Sequence, residues 1–130
     1  MPALQKIMLV ENEADIREVA CLCLKDMGDF EVTLCESGEE ALAQFPLAKP
    51  QLVLLDVMMP GMNGLVTFER LRALPGGAQV PVVFMTARAH PLQMDEYLKK
   101  GAAGVIAKPF DPTTIIRELS AIWERAGAGV

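Results

Sequence analysis

The sequence predicts one α/β domain in which five parallel strands are covered by helices on both faces. Apolar β-type runs alternate with stretches of 3.6-residue periodicity five times in succession. Right-handed crossovers leave few other ways to pack such units. The run Leu52-Val53-Leu54-Leu55 is also continuously apolar, as a parallel strand buried on both faces must be.

Each element has its own local reason. Residues 6–10 read as the first strand, and residues 13–27 as a helix on which Ile16, Val19, Ala20, Cys23 and Met27 recur at helical spacing until Gly28 stops it. Residues 30–35 form a second strand. Ser37-Gly38-Glu39-Glu40 has the form of a capping box, with Ser37 and Glu40 able to satisfy each other's orphan amides, and predicts a helix over residues 38–45 that Pro46 and Pro50 close. A third strand covers residues 51–55 and delivers Asp56 to its end. Pro60-Gly61 and Asn63-Gly64 mark a tight loop in which glycine supplies positive φ. A helix over residues 65–74 presents Leu65, Phe68 and Leu71 on one face, and Pro75-Gly76-Gly77 ends it. Residues 80–85 make a fourth strand, 92–100 a helix ended by Gly101, and 104–107 a short fifth strand. His90, just before Pro91, reads as a loop residue. Asp111-Pro112 is a helix start, with aspartate as N-cap and proline at the first helical position, leading into Ile115, Ile116, Leu119, Ile122 and Trp123. The tail from Ala126 to Val130 is expected to fray.

At 130 residues, with 52% hydrophobic and 22% charged residues, the chain suits one globular domain with a real core. No apolar run approaches the length of a membrane span, and the hydrophobic stretch between Lys6 and Glu11 is too short for a signal peptide. A cytoplasmic setting is expected. The net charge of −5, with basic residues dispersed, gives nucleic-acid binding little electrostatic support. Cys21, Cys23 and Cys35 are an odd count and read as reduced core or near-core thiols. Together with His90 they match no zinc spacing.

The residues that follow the strands carry the chemistry. Strand one ends in Glu11 and Asn12, strand three in Asp56, strand four in Thr86 and strand five in Lys108. Taken singly, each is an ordinary cap, turn residue or surface charge. Together they meet at the carboxyl edge of the sheet, where open α/β folds bind ligands. Asp56 and Glu11 offer hard oxygens to a divalent cation, Asn12 a neutral oxygen, and the loop after Asp56 a backbone carbonyl. Magnesium accepts such a partial set and completes its octahedron with water and phosphate oxygens. A carboxylate there can attack a phosphoryl group while Lys108 and Thr86 neutralise or hydrogen-bond its oxygens.

At this point the chain resembles the receiver domains of two-component response regulators, of the chemotaxis-regulator-like type. The resemblance rests on Ile7-Met8-Leu9-Val10-Glu11-Asn12-Glu13, Asp56-Val57-Met58-Met59-Pro60-Gly61-Met62-Asn63-Gly64, Met85-Thr86-Ala87 and Lys108-Pro109-Phe110, in that order and covering nearly the whole chain. It implies a flavodoxin-like doubly wound sheet in the order 2-1-3-4-5. It implies Asp56 as phosphoacceptor from a sensor histidine kinase or histidine phosphotransfer protein, with Thr86 as switch hydroxyl and Lys108 as the phosphate-facing lysine before a cis Lys108-Pro109 bond. It also implies Mg²⁺ held by Glu11, Asn12, Asp56 and the Met58 carbonyl, and a downstream protein target on the face of helix four, strand five and helix five. Such a domain is a phosphoacceptor and not an enzyme acting on other substrates.

Two positions depart from the family pattern. Asn12 stands where the family usually has an aspartate that ligates the metal, and Val105 where many members carry a tyrosine or phenylalanine that changes rotamer on phosphorylation. Met58 and Arg88, two beyond Asp56 and Thr86, occupy positions that modulate phosphoaspartate hydrolysis in the family. The departures support one alternative, a pseudo-receiver that binds proteins without being phosphorylated. An enzyme on the same fold, such as a small phosphatase, lacks a second acid two beyond Asp56, where Met58 stands. A flavodoxin-like electron carrier lacks a Gly/Ser/Thr-rich loop after strand one.

Overall fold

The structure is a computed structural model that describes residues 3–87 and 90–128. Five strands alternate with five helices: β1 (Lys6–Val10), α1 (Ala14–Leu22, continued by a π-helical turn Cys23–Met27), β2 (Glu31–Cys35), α2 (Gly38–Ala48), β3 (Leu52–Asp56), α3 (Gly64–Ala73), β4 (Val82–Thr86), α4 (Pro91–Lys99), β5 (Gly104–Ala107) and α5 (Ile115–Ala128). The strands pair in parallel in the order β2-β1-β3-β4-β5, as the resemblance implied.

Strand alternation divides the core into two layers. Met8, Val10, Val53, Leu55, Val82 and Phe84 face α2, α3 and α4, where they meet Ala41, Phe45, Phe68, Leu71 and Tyr97. Ile7, Leu9, Leu52, Leu54, Val83 and Met85 face α1 and α5, meeting Ala20, Leu24, Ile115, Leu119 and Ile122. Phe84 joins two rings of the first layer, edge-on to Phe68 and tilted against Tyr97 with both ring centroids 5.3 Å away.

Several elements depart from the sequence expectation for local physical reasons. The buried stripe of α1 is Ala20, Cys23 and Leu24, whereas Val19 and Met27 are about half exposed. The turn Cys23–Met27 widens to π-helical, and the left-handed residue that follows is Asp29, not Gly28. Gly28 is needed instead for space, since a Cβ there would lie 2.5 Å from the Phe30 ring. α2 passes through Pro46 and ends at Lys49, whose φ is +48°. Proline removes one helical hydrogen bond, but Phe45, buried in the core, and Ala48, packed against it, hold the last turn in place. Ser37 caps this helix by accepting the Glu40 amide at 3.1 Å, while the Glu40 carboxylate accepts from Glu36 N–H instead of from Ser37.

β4 begins at Val82 because Pro81 has no amide to enter the ladder. α4 begins at Pro91, and His90 is its N-cap, with Nδ1 accepting from Leu92 N–H at 3.2 Å. Asp111 caps as expected, accepting from Thr113 N–H and Oγ1–H. The regular part of α5 starts only at Ile115, after a turn over residues 112–114. The segment expected to fray from Ala126 is helical to Ala128, and Val130 lies outside the described residues. Cys23 and Cys35 are buried free thiols and Cys21 is half-buried; burial, then the Glu40 charge, pushes the Cys35 thiol up to about 12.

Candidate functional site

The carboxyl edge of the sheet gathers the residues that the strand ends predicted. Glu11 and Asp56 continue the alternation of Leu9 and Leu54, so both carboxylates fall on the α1/α5 side, as does Lys108 after Ile106. Lys108 reaches between them: Nζ lies 2.6 Å from Glu11 Oε2 and 3.1 Å from Asp56 Oδ1. Glu11 is fully buried and Asp56 is 2% exposed. The peptide Lys108-Pro109 is cis, and the Lys108 amide donates to the Thr86 carbonyl at 2.9 Å.

The second Asp56 oxygen, Oδ2, and Asn12 Oδ1 are buried without a hydrogen-bond partner among the described residues. Asp56 Oδ1 accepts from Met58 N–H at 3.3 Å, and Glu11 Oε1 from Glu13 N–H at 3.2 Å. Two buried carboxylates share one ammonium. Burial first, and the Glu11 charge second, push the Asp56 carboxyl up to about 6, with Lys108 pulling it back. Burial is the largest influence on Lys108 and pulls it down, but Glu11 and Asp56 outweigh it, and the ammonium is held above the usual lysine range.

Buried orphan oxygens beside a net negative pair suit a hard divalent cation. Among the described residues no group of three or more His, Cys, Asp or Glu side chains is arranged around a metal position. Among the described residues the buried acids at this edge are Glu11 and Asp56; Asn12 and a loop carbonyl would be neutral donors. The loop that begins at Met58 is tightly built. Gly61 has φ +73°, but Gly64 has no positive φ: it opens α3, and a Cβ there would lie 2.3 Å from the Asp56 carbonyl oxygen and 2.7 Å from Val57 Cα. Its amide donates to Val57 O at 2.9 Å.

Thr86 ends β4 buried, one residue beyond Met85, the register partner of Asp56. Met58 is 61% exposed. Arg88 lies outside the described residues. Val105 is half-buried and packs against the first core layer. Beside it, a surface depression of about 330 Å³ is lined by Met94, Leu98, Glu118 and Ile122. Sequence reasoning missed Arg17, which donates from Nη1 to Glu11 O at 2.9 Å and from Nη2 to Glu36 Oε1 at 3.2 Å. Its only sequence signal is its place six residues after Glu11 on a predicted helix.

A parallel 2-1-3-4-5 sheet with Glu11, Asp56 and Lys108 at its carboxyl edge defines a doubly wound α/β protein, a class in which ligands bind at the switch point, here between β1 and β3. The family model of the response regulator receiver domain matches residues 7–120. The chain belongs to that family, the receiver domains of two-component response regulators. It is 33% identical over 123 residues to the phosphate regulon transcriptional regulatory protein PhoB of Pseudomonas aeruginosa, covering 95% of this chain and 53% of that protein. It is 35% identical over 117 residues to the DNA-binding response regulator MtrA of Mycobacterium leprae, covering 90% and 50%. The chain therefore spans about half the length of the curated relatives it matches. Among solved structures, the chemotaxis protein CheY4 of Vibrio cholerae superposes with a TM-score of 0.85 at 30% identity, covering 92% of this chain and 99% of that one. No helix among the described residues is long and apolar enough to cross a membrane.

Proposed function

We propose that this receiver accepts a phosphoryl group on Asp56 from a histidine of a sensor kinase or phosphotransfer protein, with Mg²⁺ as the required ion, and thereby switches a protein-binding face. The observation that carries the reading is the buried Asp56 Oδ2, without a hydrogen-bond partner among the described residues, beside an ammonium already aligned on Oδ1. In the transfer, an Asp56 oxygen attacks phosphorus and the phosphorus–nitrogen bond breaks, its electron pair staying with the imidazole. Bound Mg²⁺ would supply positive charge to the phosphoryl oxygens. Glu11, Asn12, Asp56 and the Met58 carbonyl are the groups to hold it, and the orphan oxygens of Asn12 and Asp56 fit that role. Lys108 moves from a two-carboxylate contact to a phosphoryl oxygen, and the Thr86 hydroxyl hydrogen-bonds another. An open groove of about 240 Å³ beside Lys108, lined by Ile16, Val19, Pro109 and Phe110, offers the phosphodonor an apolar surface next to the acceptor.

The domain acts as a phosphoacceptor in the cytoplasm and not as an enzyme on other substrates. It makes no nucleic-acid contact through this chain, and passes its signal through α4, β5 and α5. The pseudo-receiver reading draws on Asn12, which removes one charge from the cation site, and on Val105. Intact mass after incubation with Mg²⁺ and a small phosphodonor separates the two. Wild type gains one phosphoryl group and Asp56→Asn gains none. An unmodified wild type that also ignores a competent kinase establishes the pseudo-receiver.

A further inference from the structure

Resting on the cation-site reading above, we infer that Arg17 is a positioning residue for that site: its guanidinium fixes the Glu11–Asn12 peptide and so keeps the neutral Asn12 oxygen where the ion binds. The Arg17 side chain is 15% exposed and its fork serves two acceptors at once, Glu11 O at 2.9 Å and Glu36 Oε1 at 3.2 Å. Glu36 is itself tied to the start of α2 through its amide on Glu40 Oε2. The anchor thus lies on a second element and not only on α1.

Peptide planarity carries the effect onward. The Glu11 carbonyl, the Asn12 amide and the Asn12 Cα lie in one plane, and that plane is pinned at the carbonyl by Arg17. The Glu11 amide on the other side is held by Cys35 O at 3.0 Å, and the Glu11 carboxylate by Lys108 and the Glu13 amide. Asn12 Oδ1 is buried with no partner of its own among the described residues. An aspartate at this position would draw a cation in by charge. An asparagine has only a dipole, so its contribution depends on where the backbone holds it. Lysine is not equivalent to Arg17, because a single Nζ would replace the two separate nitrogens, Nη1 and Nη2, that hold Glu11 O and Glu36 Oε1 in the fixed geometry of a planar fork.

The sign of a charge effect makes the inference testable. Removing a cation near a dication site, by electrostatics alone, tightens binding; losing a positioning contact weakens it. Mg²⁺ affinity is measured by isothermal titration on wild type, Arg17→Lys and Arg17→Ala, with metal-free thermal unfolding of each and the Asn12 side-chain amide followed by NMR during the titration. Arg17→Lys, which keeps the charge, is expected to bind about tenfold more weakly while unfolding near the wild-type temperature, and its Asn12 amide shifts less at saturation. Equal affinity in wild type and Arg17→Lys overturns the inference, as does tighter binding in Arg17→Ala with Arg17→Lys unchanged. A wild type that binds no Mg²⁺ overturns the cation-site reading itself, and this inference with it.

Discussion

Asn12 and Asp56 set the character of the site at the scale of single residues. A carboxylate at position 12 adds a full charge beside the buried acids Glu11 and Asp56. Affinity for hard dications follows ligand charge, so Asn12→Asp is expected to tighten Mg²⁺ binding by about tenfold in isothermal titration. Unchanged affinity would show that position 12 does not touch the ion. Asp56 makes a second prediction, because its carboxyl is pushed up to about 6 in the fold by burial and by Glu11, against about 3.9 in an unfolded chain. The native state therefore binds the extra proton between those values. Its contribution to stability is complete below the lower value and is lost as pH rises through about 6. Asp56→Asn carries no such charge. In metal-free urea unfolding its stability relative to wild type is expected to improve by about 2–3 kcal/mol between pH 4 and pH 7.5, and a pH-independent difference would contradict the assignment.

At the scale of elements, the loop from β3 to α3 is held by close packing. The Cβ of a Gly64→Ala side chain would meet the Asp56 carbonyl and Val57 Cα, both backbone, at 2.3 and 2.7 Å. Neither can rotate away, so the loop or the end of β3 must shift. A loss of about 1–3 kcal/mol in urea unfolding is expected, together with weaker Mg²⁺ binding, because the Met58 carbonyl and Asp56 share that backbone. A fully stable variant with unchanged affinity would mean that the loop yields freely. The same glycine shows what the sequence could and could not disclose. Its presence marked a turn correctly, but positive φ belongs to Gly61, and the reason for Gly64 is a contact with a residue eight positions earlier in the chain. Strands and most helix starts were legible because alternation, proline and capping residues act locally. The buried stripe of α1, the passage of α2 through Pro46 and the π-helical turn were not, since Leu24, Phe45 and Ala48 are chosen by what they pack against. In the site, Glu11, Asp56 and Lys108 were visible as residues at strand ends. Arg17 was not, because its place six residues after Glu11 on a helix does not by itself tell that its long side chain folds back on the Glu11 carbonyl.

The sheet itself links the site to the far face at the scale of the whole molecule. Thr86 and Lys108 end adjacent strands and share a backbone hydrogen bond at 2.9 Å, while Thr86 pairs in register with Ala107 and Phe84 with Val105. On the proposed function, drawing the Thr86 hydroxyl toward a phosphoryl oxygen would pull on β5, and β5 carries Val105 beside the depression between α4 and α5. β2 and α2 are at the opposite side of the sheet, connected to the site through β1. Val105 has no aromatic ring to change rotamer, so on the proposed function transmission would proceed by a shift of strand and helix packing. Backbone amide shifts recorded with a phosphoryl mimic such as beryllofluoride and Mg²⁺ are expected to extend from Asp56 through Thr86, Val105, α4 and the face of α5 around Ile122, and to leave β2 and the C-terminal half of α2 unmoved. Val105→Tyr is expected to enlarge the response on α4 and α5 without altering the shift at Asp56, because it fills the depression without touching the acceptor. Shifts confined to Glu11, Asp56 and Lys108 in both proteins would mean that the charge change at the site is not coupled to the α4–β5–α5 face.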